Sequence, residues 1–110
     1  MTIVVLDGIF SVCKVADYFS IDLTGRYCFT GRTDEENSLV CETEYVPTNV
    51  LARDDGWRCF RVAGTLDFSL VGVLAQITKL LADAQIGIFA VSTYNTDYIF
   101  VKKDNFARSL

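Results

Sequence analysis

From Leu70 the apolar residues fall at Leu70, Val73, Leu74, Ile77, Leu80, Leu81 and Ala84. That is the i, i+3, i+4, i+7 spacing of a helix laying one face on a core, and it predicts a helix over residues 70–84. Thr65 and Asp67 precede it as candidate N-caps, since either side chain accepts from an orphan amide of the first turn. Gln85 stands where a left-handed glycine commonly ends a helix, and Gly87 follows two residues later.

Around this helix the pattern changes to short runs of branched and aromatic residues bounded by Gly, Asn and Asp. Residues 60–62, 86–93 and 97–102 therefore read as strands. A strand, helix, strand connection brings parallel strands together by a right-handed crossover, and Tyr94-Asn95-Thr96 then turns the chain into an antiparallel hairpin. The expected unit is ferredoxin-like, with Val73, Leu74, Ile77, Leu80 and Leu81 packed on a sheet holding Phe60, Val62, Phe89, Val91, Ile99 and Val101.

The first half repeats this outline faintly. Shifting Phe29, Thr33, Leu39 and Val40 by sixty positions gives Phe89, Thr93, Ile99 and Phe100, whereas Phe10 and Val12 need a shift of fifty to reach Phe60 and Val62. Such a change of offset is expected if the first copy lacks most of the long helix and crosses over through residues 17–25. Pro47 and the Asp54-Asp55-Gly56 turn mark the seam, giving two modules at 1–56 and 57–110.

With 110 residues, half of them apolar and fewer than a quarter charged, the chain is not disordered, and it has little polar surface with which to cover a monomer. A homodimer is the expectation. The net charge of −4, with basic residues scattered among acids, speaks against a nucleic-acid surface. The longest uncharged run, residues 84–96, is short of the ~20 residues of a membrane span. Residues 1–6 are apolar but lack a basic leader and run into Asp7-Gly8, so they read as a strand and turn in a cytoplasmic protein. Cys13, Cys28, Cys41 and Cys59 lie in or beside apolar runs without a Cys-x-x-Cys pair, and they read as buried reduced thiols rather than metal ligands.

The acids Asp34, Glu35, Glu36, Glu42 and Glu44 have no calcium-loop pattern and read as a solvated surface, so neither a metal nor a cofactor is expected. The absence of histidine removes the usual general base, and Lys14, Lys79, Lys102 and Lys103 all lie in stretches that permit solvation. An enzyme is not expected. Asp97 is open to two readings, a partner for a ligand ammonium or a turn carboxylate satisfied locally. Ser92 and Thr93 divide in the same way. Tyr94 and Tyr98 either wall a site or pack on the sheet, and the first amides of the Leu70 helix either seat a ligand carboxylate or bind water.

Gly72-Val73-Leu74-x-x-Ile77, then Leu81-Ala82-Asp83-Ala84, then the run from Ile86 through Ser92-Thr93-Tyr94-Asn95-Thr96-Asp97-Tyr98-Ile99 to Lys102 resembles an ACT domain. The branch it resembles includes cytosolic arginine sensors and small bacterial proteins. The resemblance covers residues 58–106, with residues 10–50 as a diverged second copy. It implies an α+β fold of tandem ACT-like βαββαβ modules, the first degenerate and the second truncated at its C-terminus. Relatives continue past the position of Leu110 through a helix and a last strand, so either the second module is left open or residues 1–6 or a partner chain complete it. The resemblance further implies a regulatory protein that binds a small amino acid or similar zwitterion between modules. Carried over by position, the ligand residues are Asp67, Ser69, Leu70, Val71 and Gly72 at the helix entrance and Ser92, Thr93, Tyr94 and Asp97 at the turn. Arginine sensors place an acid in the first of these loops, where Ser69 and Leu70 stand here. The alternative is a protein-interaction module with a vestigial pocket.

Overall fold

In the computed structural model, which describes residues 2–63, 69–94 and 96–105 (backbone alone at 2, 63 and 69–74), the periodic segment forms one helix, α1 (Ser69–Asp83). The candidate caps Thr65 and Asp67 lie outside the described residues. At the other end Gln85 takes the left-handed conformation, φ 61°, that glycine usually supplies. Its N–H donates to the Ala82 carbonyl and the Ile86 N–H donates to the Leu81 carbonyl, each at 2.9 Å. This is the paired Schellman arrangement, and it satisfies carbonyls that the last turn would leave open.

The chain divides into two compact units, Met1–Asp7 with Arg58–Leu110 and Gly8–Trp57. The first contains β1 (Thr2–Val5), the end of β5 (Val50–Ala63), α1, β6 (Ile88–Ser92) and β7 (Asp97–Lys102). β1 pairs antiparallel with β5, Val5 opposite Phe60, and β6 pairs antiparallel with β7, Ile88 opposite Val101. β7 lies between β5 and β6. The strands flanking the helix are therefore not direct neighbours, contrary to the parallel pairing expected from the strand, helix, strand connection. The hairpin partner occupies the intervening place.

The core of this unit is Phe60, Val62, Leu81, Ile86, Ile99 and Val101, with Ile77 and Ile88 packed against it. Two sequence expectations are corrected here. Leu80 is 69% exposed while Leu81 is 4% exposed, because consecutive helix positions lie about 100° apart and the buried stripe runs through Ile77 and Leu81. On β6 it is Ile88 that faces the core. Phe89 lies on the opposite face of the strand and stacks on Phe100 with ring centroids 4.5 Å apart, and Val91 shares its parity. The side chains of Val73 and Leu74 lie outside the described residues.

The Gly8–Trp57 unit orders its strands β3 (Cys28–Arg32), β4 (Asn37–Glu42), β2 (Phe10–Val15) and the start of β5, with antiparallel ladders throughout. The sequence reads Asp54-Asp55-Gly56 as a turn, but the strand passes through it. Register moves from Phe10 opposite Trp57 to Val12 opposite Asp54, so β5 carries one extra residue, and Gly56 takes a φ of 85° in that bulge. The Asp55 carboxylate accepts from the fully buried Ser11 hydroxyl at 2.6 Å and from Arg53 Nε at 3.0 Å. Where the other unit has a helix, this one crosses from β2 to β3 through turns. Tyr18 and Ile21 pack there on the core of Cys13, Val15, Leu39 and Cys41.

β3, β4 and the 3₁₀ turn Thr43–Tyr45 coincide in length and position with β6, β7 and the turn Lys103–Asn105 after a shift of sixty residues. β4 and β7 also share the same order of half-buried and buried positions.

Candidate functional site

Ser92 and Asp97 are the last paired residues of the β6–β7 ladder, and the chain reverses between them. Thr93 closes the turn twice, its N–H donating to the Thr96 carbonyl at 2.8 Å and its hydroxyl to the same oxygen at 3.1 Å. The Ser92 hydroxyl donates to the Asp97 carboxylate through a short hydrogen bond. Asp97 is half-buried, Ser92 and Thr93 are exposed, and Tyr94 stands 97% exposed at the tip. The geometry thus brings Ser92, Thr93 and Asp97 together and leaves Tyr94 out in solvent. One carboxylate oxygen faces Ser92, and among the described residues the second has no hydrogen-bond donor.

Of the predicted helix-entrance residues, Asp67 lies outside the described residues. Ser69, Leu70, Val71 and Gly72 form the first turn of α1 and are described in backbone only. The helix begins one residue earlier than the periodicity predicts, at Ser69. The first-turn amides, which have no partner within a helix, belong to these four residues.

Burial makes the four thiols harder to ionise. Burial pushes Cys41 and Cys59 up to about 12 and raises Cys13 and Cys28 as well. A protonated thiol is a poor nucleophile and a poor metal ligand at neutral pH. Among the described residues no group of three His, Cys, Asp or Glu side chains is placed to hold a metal ion, and no helix is long and apolar enough to cross a membrane.

Sequence reasoning gave no role to the corresponding turn of the Gly8–Trp57 unit. There the Thr33 N–H donates to the Glu36 carbonyl at 2.9 Å, as Thr93 does to Thr96. Arg32 and Asn37, last pair of the β3–β4 ladder, occupy the places of Ser92 and Asp97. They line a cavity of about 420 Å³ together with Ala16, Asp17, Tyr18 and Phe19. The sixty-residue offset was the signal that could have found them, since it aligns both turns.

Comparison with known proteins bears on residues 52–110, which match the ACT domain family. Over 97% of this chain and 81% of the other, the structure is similar to protein Atu0741 from Agobacterium tumefaciens, with a TM-score of 0.85 and 29% identity. A Vibrio cholerae protein of unknown function, VC0802, described as a possible transport protein, is similar over 99% of this chain and 84% of its own, with a TM-score of 0.70 and 24% identity. The aspartate kinase of Clostridium acetobutylicum shares the fold over 97% of this chain and 32% of its own length, with a TM-score of 0.66 and 9% identity. No curated protein matches by sequence.

Proposed function

The chain belongs to the ACT domain family, and from that premise we propose that it is a non-catalytic sensor of a small amino acid or similar zwitterion. ACT domains as a family bind small molecules in regulatory roles, and the aspartate kinase that shares this fold is described as an allosteric enzyme. The observation that carries the reading is the half-buried Asp97 carboxylate engaged by the Ser92 hydroxyl at the tip of the family-matched hairpin, beside a turn that the Thr93 hydroxyl closes on the Thr96 carbonyl. In this reading the ligand ammonium meets Asp97 and Thr93, and its carboxylate meets the first-turn amides of α1, where the helix dipole favours negative charge. The two halves are tandem ACT-like modules, the first without the long helix, a reading supported by the shared offset of β3, β4 and their 3₁₀ turn with β6, β7 and theirs. The protein works in the cytoplasm as a homodimer.

A thermal-shift screen with the natural amino acids tests this, because a ligand that binds the folded chain raises its stability by mass action. One amino acid should raise the melting temperature of the wild type and have no effect on Asp97→Ala. No shift with any amino acid at millimolar concentration, or an unchanged shift in the variant, sinks the proposal. One observation favours a second reading, a protein-interaction module with a vestigial pocket: Ser92 already engages Asp97, and the turn closes on its own hydrogen bonds. A partner captured equally with and without amino acid would select it.

A further inference from the structure

The cavity of the Gly8–Trp57 unit brings together groups that the turn at Ser92 and Asp97 lacks. Its volume, about 420 Å³, falls within the range of small-molecule sites, and its lining combines apolar surface with a few polar groups. Most of those polar groups are already engaged in shaping the walls. The Tyr18 hydroxyl lies 3.0 Å from the Gly31 carbonyl and 2.9 Å from the Ser38 carbonyl, pinning the crossover to the hairpin. Asn37 Nδ2 donates to the Ala16 carbonyl at 3.1 Å. The Asp17 carboxylate accepts through one oxygen, Oδ1, from the Phe19 N–H at 3.1 Å and from Asn49 Nδ2 at 3.0 Å.

Two lining groups remain uncommitted. The Arg32 side chain forms no hydrogen bond, ion pair or ring contact among the described residues, whereas Arg53 pairs with Asp55 and Arg26 lies 5.6 Å from the centre of the Tyr27 ring. Phe19 is 94% exposed and lines the same cavity, on a loop tied down at the preceding residue through the Tyr18 hydroxyl and by its own N–H on the Asp17 carboxylate. A planar cation with five donors suits a carboxylate, and an exposed ring suits a flat apolar body. The acids Asp34, Glu35 and Glu36 of the adjoining turn do not line this cavity, and Glu36 accepts from the Ser38 hydroxyl at 3.3 Å.

We infer that this cavity is a binding site for a small aromatic carboxylate, with Arg32 clamping the carboxylate and Phe19 covering the ring. It stands apart from the reading at Ser92 and Asp97, since the residues are different and belong to the other compact unit. Titration calorimetry of the full chain with phenylacetate and with its uncharged counterpart phenylacetamide tests it. Phenylacetate should bind saturably to the wild type, and phenylacetamide at least about tenfold more weakly, the usual worth of a hydrogen bond to a charged group. Arg32→Gln should weaken phenylacetate by the same factor and Phe19→Ser by several-fold, with circular dichroism confirming that both exposed-site variants fold. Asp97→Ala should bind phenylacetate as the wild type does, so a failure of the amino-acid sensor and a failure of this site are read separately. Absence of saturable binding at millimolar phenylacetate, equal binding of the amide, or unchanged binding by Arg32→Gln overturns the inference.

Discussion

Two hairpins of this chain, sixty residues apart, share their strand lengths, their turn and even the threonine that closes it, yet they present opposite chemistry. At Ser92 and Asp97 a hydroxyl donates into a carboxylate, leaving a small anionic tip. At Arg32 and Asn37 the amide reaches away to the Ala16 carbonyl and the guanidinium is left uncommitted among the described residues. The crossovers behind them differ to match. In the unit built on Arg58–Leu110, α1 presents Ile77 and Leu81 to the core. In Gly8–Trp57 a loop is held by polar ties, through Tyr18, Asp17, Asn49 and the Asp22 carboxylate that accepts from the Thr24 N–H at 2.9 Å. The backbone of a hairpin thus constrains its tip chemistry very little, while the crossover decides what the tip can face.

If one crossover is held by apolar burial and the other by hydrogen bonds added to the packing of Tyr18 and Ile21, truncations should separate them. The largest effect is expected from Leu81→Ala, which should cost about 2–5 kcal/mol in urea unfolding, with Leu80→Ala one residue away within about 0.5 kcal/mol. Equal costs would mean the helix does not pack as described. Next is Tyr18→Phe, which keeps the ring and removes the hydroxyl near two carbonyls. A loss of about 1–2 kcal/mol is expected, together with faster amide exchange in residues 16–27. No change in either measurement would show that polar ties do not hold that crossover.

The smallest effect at neutral pH concerns one buried thiol in each unit. Burial raises Cys41 and Cys59 from an ordinary value near 9 to about 12 in the folded chain. Below 9 both folded and unfolded chains keep these protons, so the thiols leave stability unchanged. Above it the unfolded chain loses them first, so stability should fall as pH rises from about 9 toward 12. Urea unfolding at about pH 8 and pH 10 should show a smaller decline for Cys41→Ala and for Cys59→Ala than for the wild type. A decline unchanged in both variants would contradict their burial.

Much of the fold was legible because it is written in local periodicity. The helix, the two strands after it and the Gln85 ending lie within one or two residues of their expected places, and the sixty-residue offset aligns both hairpins. The candidate turn was legible too, since Ser, Thr and Asp there follow from turn chemistry. The continuous strand through Asp54-Asp55-Gly56 was not, because a bulge has the same local composition as a turn, and the Ser11 hydroxyl that engages Asp55 is 44 residues away in sequence. Nor was the cavity beside Arg32, whose walls come from a loop and two strand ends distant along the chain.

By itself the sequence determined the helix and the two strands that follow it, because hydrophobic spacing and turn residues act over a few positions. Only the tertiary structure decided that Leu81 rather than Leu80 is buried, that Ile88 rather than Phe89 faces the helix, and that β7 stands between β5 and β6. Each of those depends on which face meets a partner, and strand order and facing are set by packing between residues far apart in the chain.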